Sequence, residues 1–102
     1  MPSFRVQLNI LALRPGHPPE AVMDTAVATL ASRHHVEANQ LDIVGGVPRI
    51  TLRFTVEEEE EYDAESGLAR SAAALMRAGV EQVARTRNLV VLRRVRGRWS
   101  PV

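Results

Sequence analysis

Polar and apolar side chains alternate along two stretches of the chain, and the polar ones have the chemistry of anion recognition. Six of them stand at every second position, three in each stretch: Arg5, Gln7, Asn9, Arg49, Thr51 and Arg53. Guanidinium groups bind carboxylates and phosphates through paired hydrogen bonds, and neighbouring amides and hydroxyls add further donors. These six residues are therefore the candidate ligand-binding set.

The alternation predicts that both sets lie on β-strands. Successive side chains of a strand leave opposite faces, so each strand has one polar and one apolar face. The strands are predicted over Ser3–Leu13 and Val47–Val56, with Phe4 and Phe54 on the apolar sides. Such a pattern is typical of a sheet that is covered on one face and open on the other.

Two helices and two further strands complete the predicted elements. Apolar residues at helical spacing predict helices over Pro19–Arg33 and Ala64–Arg85. Shorter apolar runs predict strands over Asn39–Val44 and Asn88–Arg96. Gly45-Gly46 is a tight-turn signal, and it predicts a hairpin with the strand that begins at Val47.

The order strand, helix, strand, strand, helix, strand resembles the ferredoxin-like plait. The resemblance implies an α+β two-layer sandwich, with a four-stranded antiparallel sheet of order 4-1-3-2 and two helices on one face. It also implies that Ser3–Leu13 and Val47–Val56 are central neighbours and that residues 1–102 form a single domain. Many unrelated functions use this arrangement, so it assigns none.

Composition limits the classes of protein. An apolar content of 45% in 102 residues is enough for a hydrophobic core. The absence of cysteine excludes disulfides and thiolate chemistry and is compatible with the cytoplasm, which we predict as the compartment. No apolar run approaches the roughly 18 residues of a membrane span, so no membrane partner is expected. The net charge of +1 gives no global attraction to nucleic acid.

No catalytic or metal-binding arrangement is predicted. His34 and His35 are adjacent and would point about 100° apart on a helix, and His17 lies at the opposite helix end. The acidic run Glu57–Glu61 is interpreted as a solvated segment that compensates the arginines near the C-terminus. We therefore predict no catalytic residue, no metal and no cofactor.

Nucleic acid is a disfavoured partner at this stage. RNA-binding sheets of this kind stack bases on aromatic side chains of the two central strands. The outward positions of Ser3–Leu13 and Val47–Val56 carry no aromatic residue. Only phosphate contacts would remain, and a small anionic ligand is equally compatible with the arginines.

The last predicted strand is apolar on both faces, which predicts a partner. An edge strand of this kind needs cover on its outer side, either from the C-terminal tail or from a second subunit. The candidate interface residues are Leu89, Val91, Val95 and Trp99.

Three functions follow from these observations. The first is a non-enzymatic interaction or regulatory module that forms a homodimer through the sheet face or edge. The second is an anion or nucleic-acid binder that uses the arginine-bearing open face. The third is a small-molecule enzyme whose site lies between that face and a partner subunit, with Arg5, Asn9, Arg53 and Trp99 as its candidate residues.

Overall fold

The computed structural model describes residues 1–102, which form one α+β unit. The chain runs in the order β1 (Ser3–Leu13), α1 (Glu20–Ala31), β2 (His35–Val44), β3 (Val47–Thr55), α2 (Tyr62–Val80), β4 (Ala84–Val95) and β5 (Arg98–Pro101). All strand pairs are antiparallel, and the sheet order is β2-β3-β1-β4-β5.

The sheet differs from the predicted one. A four-stranded ferredoxin-like sheet of order 4-1-3-2 is wrong, because a fifth strand, β5, pairs with the outer side of β4. Arg96 and Gly97 make this possible, since both have positive φ (51° and 78°) and form the two-residue turn of a hairpin. As a consequence β4 is an interior strand and not the edge strand that its sequence predicted.

The alternation of β1 and β3 positions the core as predicted. Phe4 and Phe54 face each other in the register and stack with their ring centroids 5.9 Å apart. They belong to a single core cluster of 19 buried residues, to which both helices contribute. The opposite side of the sheet, which we call the open face, has no helix on it.

The helices pack on the covered face, with bounds that differ from prediction. The buried stripe of α1 is Val22, Ala26 and Leu30. Helix α2 begins at Tyr62 and not at Ala64, and its N-cap is Glu61 without a side-chain cap bond. A Cβ at Gly79 would lie 2.7 Å from Oγ1 of Thr29 in α1, so this glycine marks the close contact between the two helices.

The predicted hairpin of β2 and β3 is confirmed, but β2 is longer than expected. Gly45 and Gly46 form the turn with φ of 58° and 80°, which is the left-handed region that glycine adopts freely. Strand β2 begins at His35 and not at Asn39, and a register shift interrupts its pairing between Val36 and Ala38. That bulge interrupts the alternation of side chains, which explains why the sequence pattern did not predict the first half of the strand.

Candidate functional site

The six predicted ligand-binding residues lie side by side on the open face. The register of β1 and β3 pairs them two by two as Arg5 with Arg53, Gln7 with Thr51 and Asn9 with Arg49. All six are partly exposed, whereas the residues that alternate with them in the strands are buried. The structure therefore brings the whole predicted set together in one band across the centre of the sheet.

Three guanidinium groups on the open face surround one indole. The guanidinium carbons of Arg5, Arg94 and Arg53 lie 4.3, 5.3 and 5.4 Å from the centroid of the Trp99 ring. Cation–π contacts of this length are favourable, and at exposed sites each contributes about 0.5–1 kcal/mol. We call these four residues the guanidinium–indole cluster.

The cluster forms because β5 carries its tryptophan onto the face. Trp99 is the register partner of Arg94, while Arg5 lies opposite Leu92 of β4. The indole must therefore extend across β4 to reach β1 and β3. Sequence reasoning named Trp99 as an aromatic candidate, but it missed Arg94, whose contact with Trp99 depends on the pairing of β4 with β5.

The arginines of the open face differ in how well they are neutralised. Arg53 donates from Nε to Oγ of Ser3 at 3.2 Å and lies 3.8 Å from a carboxylate oxygen of Glu37. Neither Arg5 nor Arg94 takes part in any of the three ion pairs of the chain. Two of the three charges around the indole thus have no carboxylate partner.

A second, smaller group of polar side chains lies four residues further along the sheet. Arg49 donates from Nε to Oδ1 of Asn9 at 3.2 Å, and Asp42 is its register partner on β2. Arg87 is the register partner of Asn9 on β4 and is exposed. This group contains a carboxylate, so its net positive charge is lower than that of the cluster.

The predicted interface residues of β4 and β5 lie on two sides of the sheet. Val91 is buried against the core, and Leu89 packs against the same core from a partly buried position. Val95 is partly buried at the end of β4, and Trp99 lies on the open face. On the open-face side of β4, Val90 remains 37% exposed, and β5 places Trp99 against Arg94.

An exposed apolar surface lies where the end of β1 comes near the edge strand β2, and sequence reasoning did not find it. Its members are Leu11, Leu13, Leu41, Ile43 and Val44, which are 48, 40, 61, 65 and 44% exposed. We call it the apolar edge. A groove of about 660 Å³ runs beside it between the end of β1, the start of α1 and the covered side of β2. The alternation of Leu41 and Ile43 in sequence was the available signal.

A buried ion pair fixes β4 to α2. Nη2 of Arg93 contacts Oε1 of Glu65 at 2.6 Å, and Nη1 donates to Oγ of Ser66 at 3.1 Å. The guanidinium also lies 3.5 Å from the ring centroid of Tyr62. The backbone N–H of Glu59, followed by the Arg93 guanidinium, lowers the pKa of Glu65 below its ordinary value. One of the arginines near the C-terminus, Arg93, therefore stabilises the packing of β4 on α2.

The acidic run and the histidines form no metal site. No group of three or more histidine, aspartate or glutamate side chains is close enough to hold a metal ion. Burial lowers the pKa of His34, whose ring lies 6.0 Å from that of Phe54. A cleft of about 450 Å³ between His34, Glu57 and α2 is lined mainly by polar and charged groups.

Comparison of the chain with protein-family models, with curated proteins and with solved structures gives no match. Neither α1 nor α2 has the combination of length and hydropathy that a membrane-crossing helix requires.

Proposed function

We propose that the protein is a non-enzymatic interaction module that forms a homodimer through antiparallel pairing of two β2 strands. The observation that carries this proposal is that β2, ten residues long, is an edge strand with Leu41 and Ile43 exposed on one side. An edge strand presents unpaired backbone N–H and C=O groups, which a second strand can satisfy. Pairing would also cover part of the apolar edge, at Leu41 and Ile43.

Exposure of this kind is unusual unless a partner covers it. Leu41 and Ile43 are 61 and 65% exposed although they lie on the helix-covered side of the sheet, where the neighbouring Ile50 is 2% exposed. Clustered apolar side chains rimmed by polar ones mark interaction sites. Burying one leucine or isoleucine side chain stabilises a complex by about 1.5–3 kcal/mol.

The second copy is the best partner because the other edge of the sheet does not match β2. Strand β5 has only four residues and ends at Pro101, which lacks a backbone donor. An isologous β2 pair centred on Leu41 joins Ala38–Val44 of both copies and sets Gln40 opposite Asp42 of the partner subunit. Asp42 is the only carboxylate residue within that paired segment, so no two carboxylates oppose each other.

The non-enzymatic part of the proposal rests on the shape of the open face. None of the three main clefts is lined by Asn9, Arg5, Arg53 or Trp99, which were the candidate residues for an enzyme site. An enclosed small-molecule site needs a concave pocket. The cytoplasm remains the proposed compartment.

Size-exclusion chromatography with light scattering tests the dimer. The wild-type chain should have twice the mass of one copy at high micromolar concentration, and Leu41→Lys should reduce it to one copy because a charge replaces the central contact. Leu75→Lys is the matched control, since Leu75 is 37% exposed on α2. A monomeric wild type, or a Leu41→Lys variant that stays dimeric, would contradict the proposal.

A further inference from the structure

We propose that the open face binds single-stranded nucleic acid, with phosphates held by Arg5, Arg53 and Arg94 and a base stacked at Trp99. The proposal concerns the guanidinium–indole cluster and does not depend on β2 pairing. It commits to a polymeric ligand that carries both phosphates and aromatic bases.

The positive charge of the guanidinium–indole cluster favours an anionic ligand. Three guanidinium groups converge on one indole, and like charges held together repel each other unless an anion joins them. The buried arginine, Arg93, differs from these three because it contacts a carboxylate, a hydroxyl, a carbonyl and an aromatic ring. Arg5 and Arg94 have no carboxylate partner, so both are free to take an anionic ligand as their counter-charge.

The shape of the open face favours an extended ligand. No main cleft includes any residue of the cluster, so a small anion would not be enclosed there. The pairs Arg5–Arg53 and Asn9–Arg49 lie four residues apart along β1 and β3, which corresponds to about 13 Å at the rise of a strand. A single phosphate does not span that distance, whereas a chain of phosphates follows both groups across the sheet.

The aromatic ring of the cluster favours a ligand with bases. Single-stranded nucleic acids bind to basic surfaces on which bases stack against aromatic side chains or guanidinium planes. The central strands lack aromatics, which made nucleic acid a disfavoured partner in the sequence. Trp99 now supplies one from β5, and Arg5 and Arg53 bring guanidinium planes to the same place. A ligand with bases gains from this arrangement, whereas inorganic polyphosphate does not.

Trp99 is the only tryptophan of the chain, so its fluorescence reports directly on the site. Titration of the full chain with a single-stranded oligonucleotide at low salt should quench this fluorescence. An abasic strand of equal length and charge should bind about tenfold more weakly, because it offers no base to stack. An affinity equal to that of the natural strand, or a duplex bound as tightly as the single strand, would overturn the proposal.

Substitutions separate this site from general attraction to the surface. The double variant Arg5→Gln/Arg94→Gln should lose at least tenfold in affinity. Its dependence of log affinity on log salt should become shallower by about 1.4, which corresponds to two phosphate contacts. The matched control is Arg70→Gln/Arg77→Gln, which removes the same charge from α2 in the other layer of the molecule.

Three further results would each decide against the proposal. These are an unquenched indole at saturating oligonucleotide, equal losses in the double variant and the control, and a mononucleotide or inorganic phosphate that binds as tightly as the strand. Variants are compared only after circular dichroism shows that they fold. Leu41→Lys should retain the quenching, so failure of the dimer and failure of this site give different results.

Discussion

The molecule contains two hairpins that share a turn geometry and differ in how their strands are covered at the two edges of the sheet. Both close with two residues of positive φ, Gly45-Gly46 between β2 and β3 and Arg96-Gly97 between β4 and β5. The β4–β5 hairpin is fixed on both faces, by Arg93 to α2 and by Trp99 to the open face. The β2–β3 hairpin extends away from the helices with Leu41 and Ile43 uncovered.

This difference teaches that the chain completes one edge of its sheet by itself and leaves the other for a partner. Strand β5 is short, and its residues cover the outer side of β4, so that edge offers little to a second chain. Strand β2 has neither a covering strand nor an anchor to a helix along its second half. The predictions below alter one hairpin at a time.

The largest effect is expected from Arg93, the anchor of the β4–β5 hairpin. Arg93→Met leaves Glu65 without its guanidinium in a position that is largely shielded from water, and an unpartnered charge there opposes folding. Urea unfolding should show a loss at least three times that of Arg49→Met. Arg49 is a partly exposed arginine that we expect to contribute less than about 1 kcal/mol.

A second substitution distinguishes loss of charge balance from loss of packing. Arg93→Met/Glu65→Leu removes both charges, and it should recover a large part of the stability that Arg93→Met loses. If the double variant is no more stable than Arg93→Met, the hydrogen bonds to Ser66 and Tyr62 are the anchor, and the ion pair is not.

The pH dependence of stability should reveal the same anchor with a smaller effect. The pKa of Glu65 is lowered in the folded state, so its carboxylate stabilises the fold at pH values above the ordinary glutamate pKa. This contribution is lost as the pH falls below about 4.5 through the folded-state pKa. Glu65→Gln should therefore show a shallower decline in unfolding free energy between pH 7 and acid than the wild type.

The control for this titration is Glu60→Gln in the exposed acidic run. Its decline in unfolding free energy between neutral and acid pH should follow that of the wild type. Identical acid limbs for wild type and Glu65→Gln would mean that the Arg93–Glu65 contact does not couple protonation to folding.

The two hairpins also explain what the sequence could and could not predict. The β2–β3 turn was predictable because two glycines adopt positive φ freely. The β4–β5 turn was not, because arginine is uncommon at positive φ and the strand after it has only four residues. The strand that was not predicted, β5, makes the sheet five-stranded and places Trp99 on the open face.

The candidate site divides in the same way. Six polar residues on β1 and β3 were predictable, since strict alternation determines which side chains share a face. The contact of Arg94 with Trp99 was not, because it depends on the pairing of β4 with β5, a strand that the pattern did not predict. The inward position of Arg93 was equally hidden, since a charged residue occupies a core-facing position only when a distant partner such as Glu65 compensates it.

The smallest predicted effect concerns the β4–β5 turn itself. Arg96 has φ of 51°, a conformation that costs most residues about 1–2 kcal/mol and that asparagine tolerates. Asn-Gly is a favoured pair for this two-residue turn, so Arg96→Asn should stabilise the chain by about 0.5 kcal/mol in urea unfolding.

Arg98→Gln removes a neighbouring charge without changing the turn, and it is the control for relief of charge repulsion. The equivalent change in the other hairpin, Gly45→Asn, should be close to neutral, because glycine already relieves that turn of strain. A gain from Arg98→Gln equal to that from Arg96→Asn would assign the effect to charge, and the two turns would then not differ in strain.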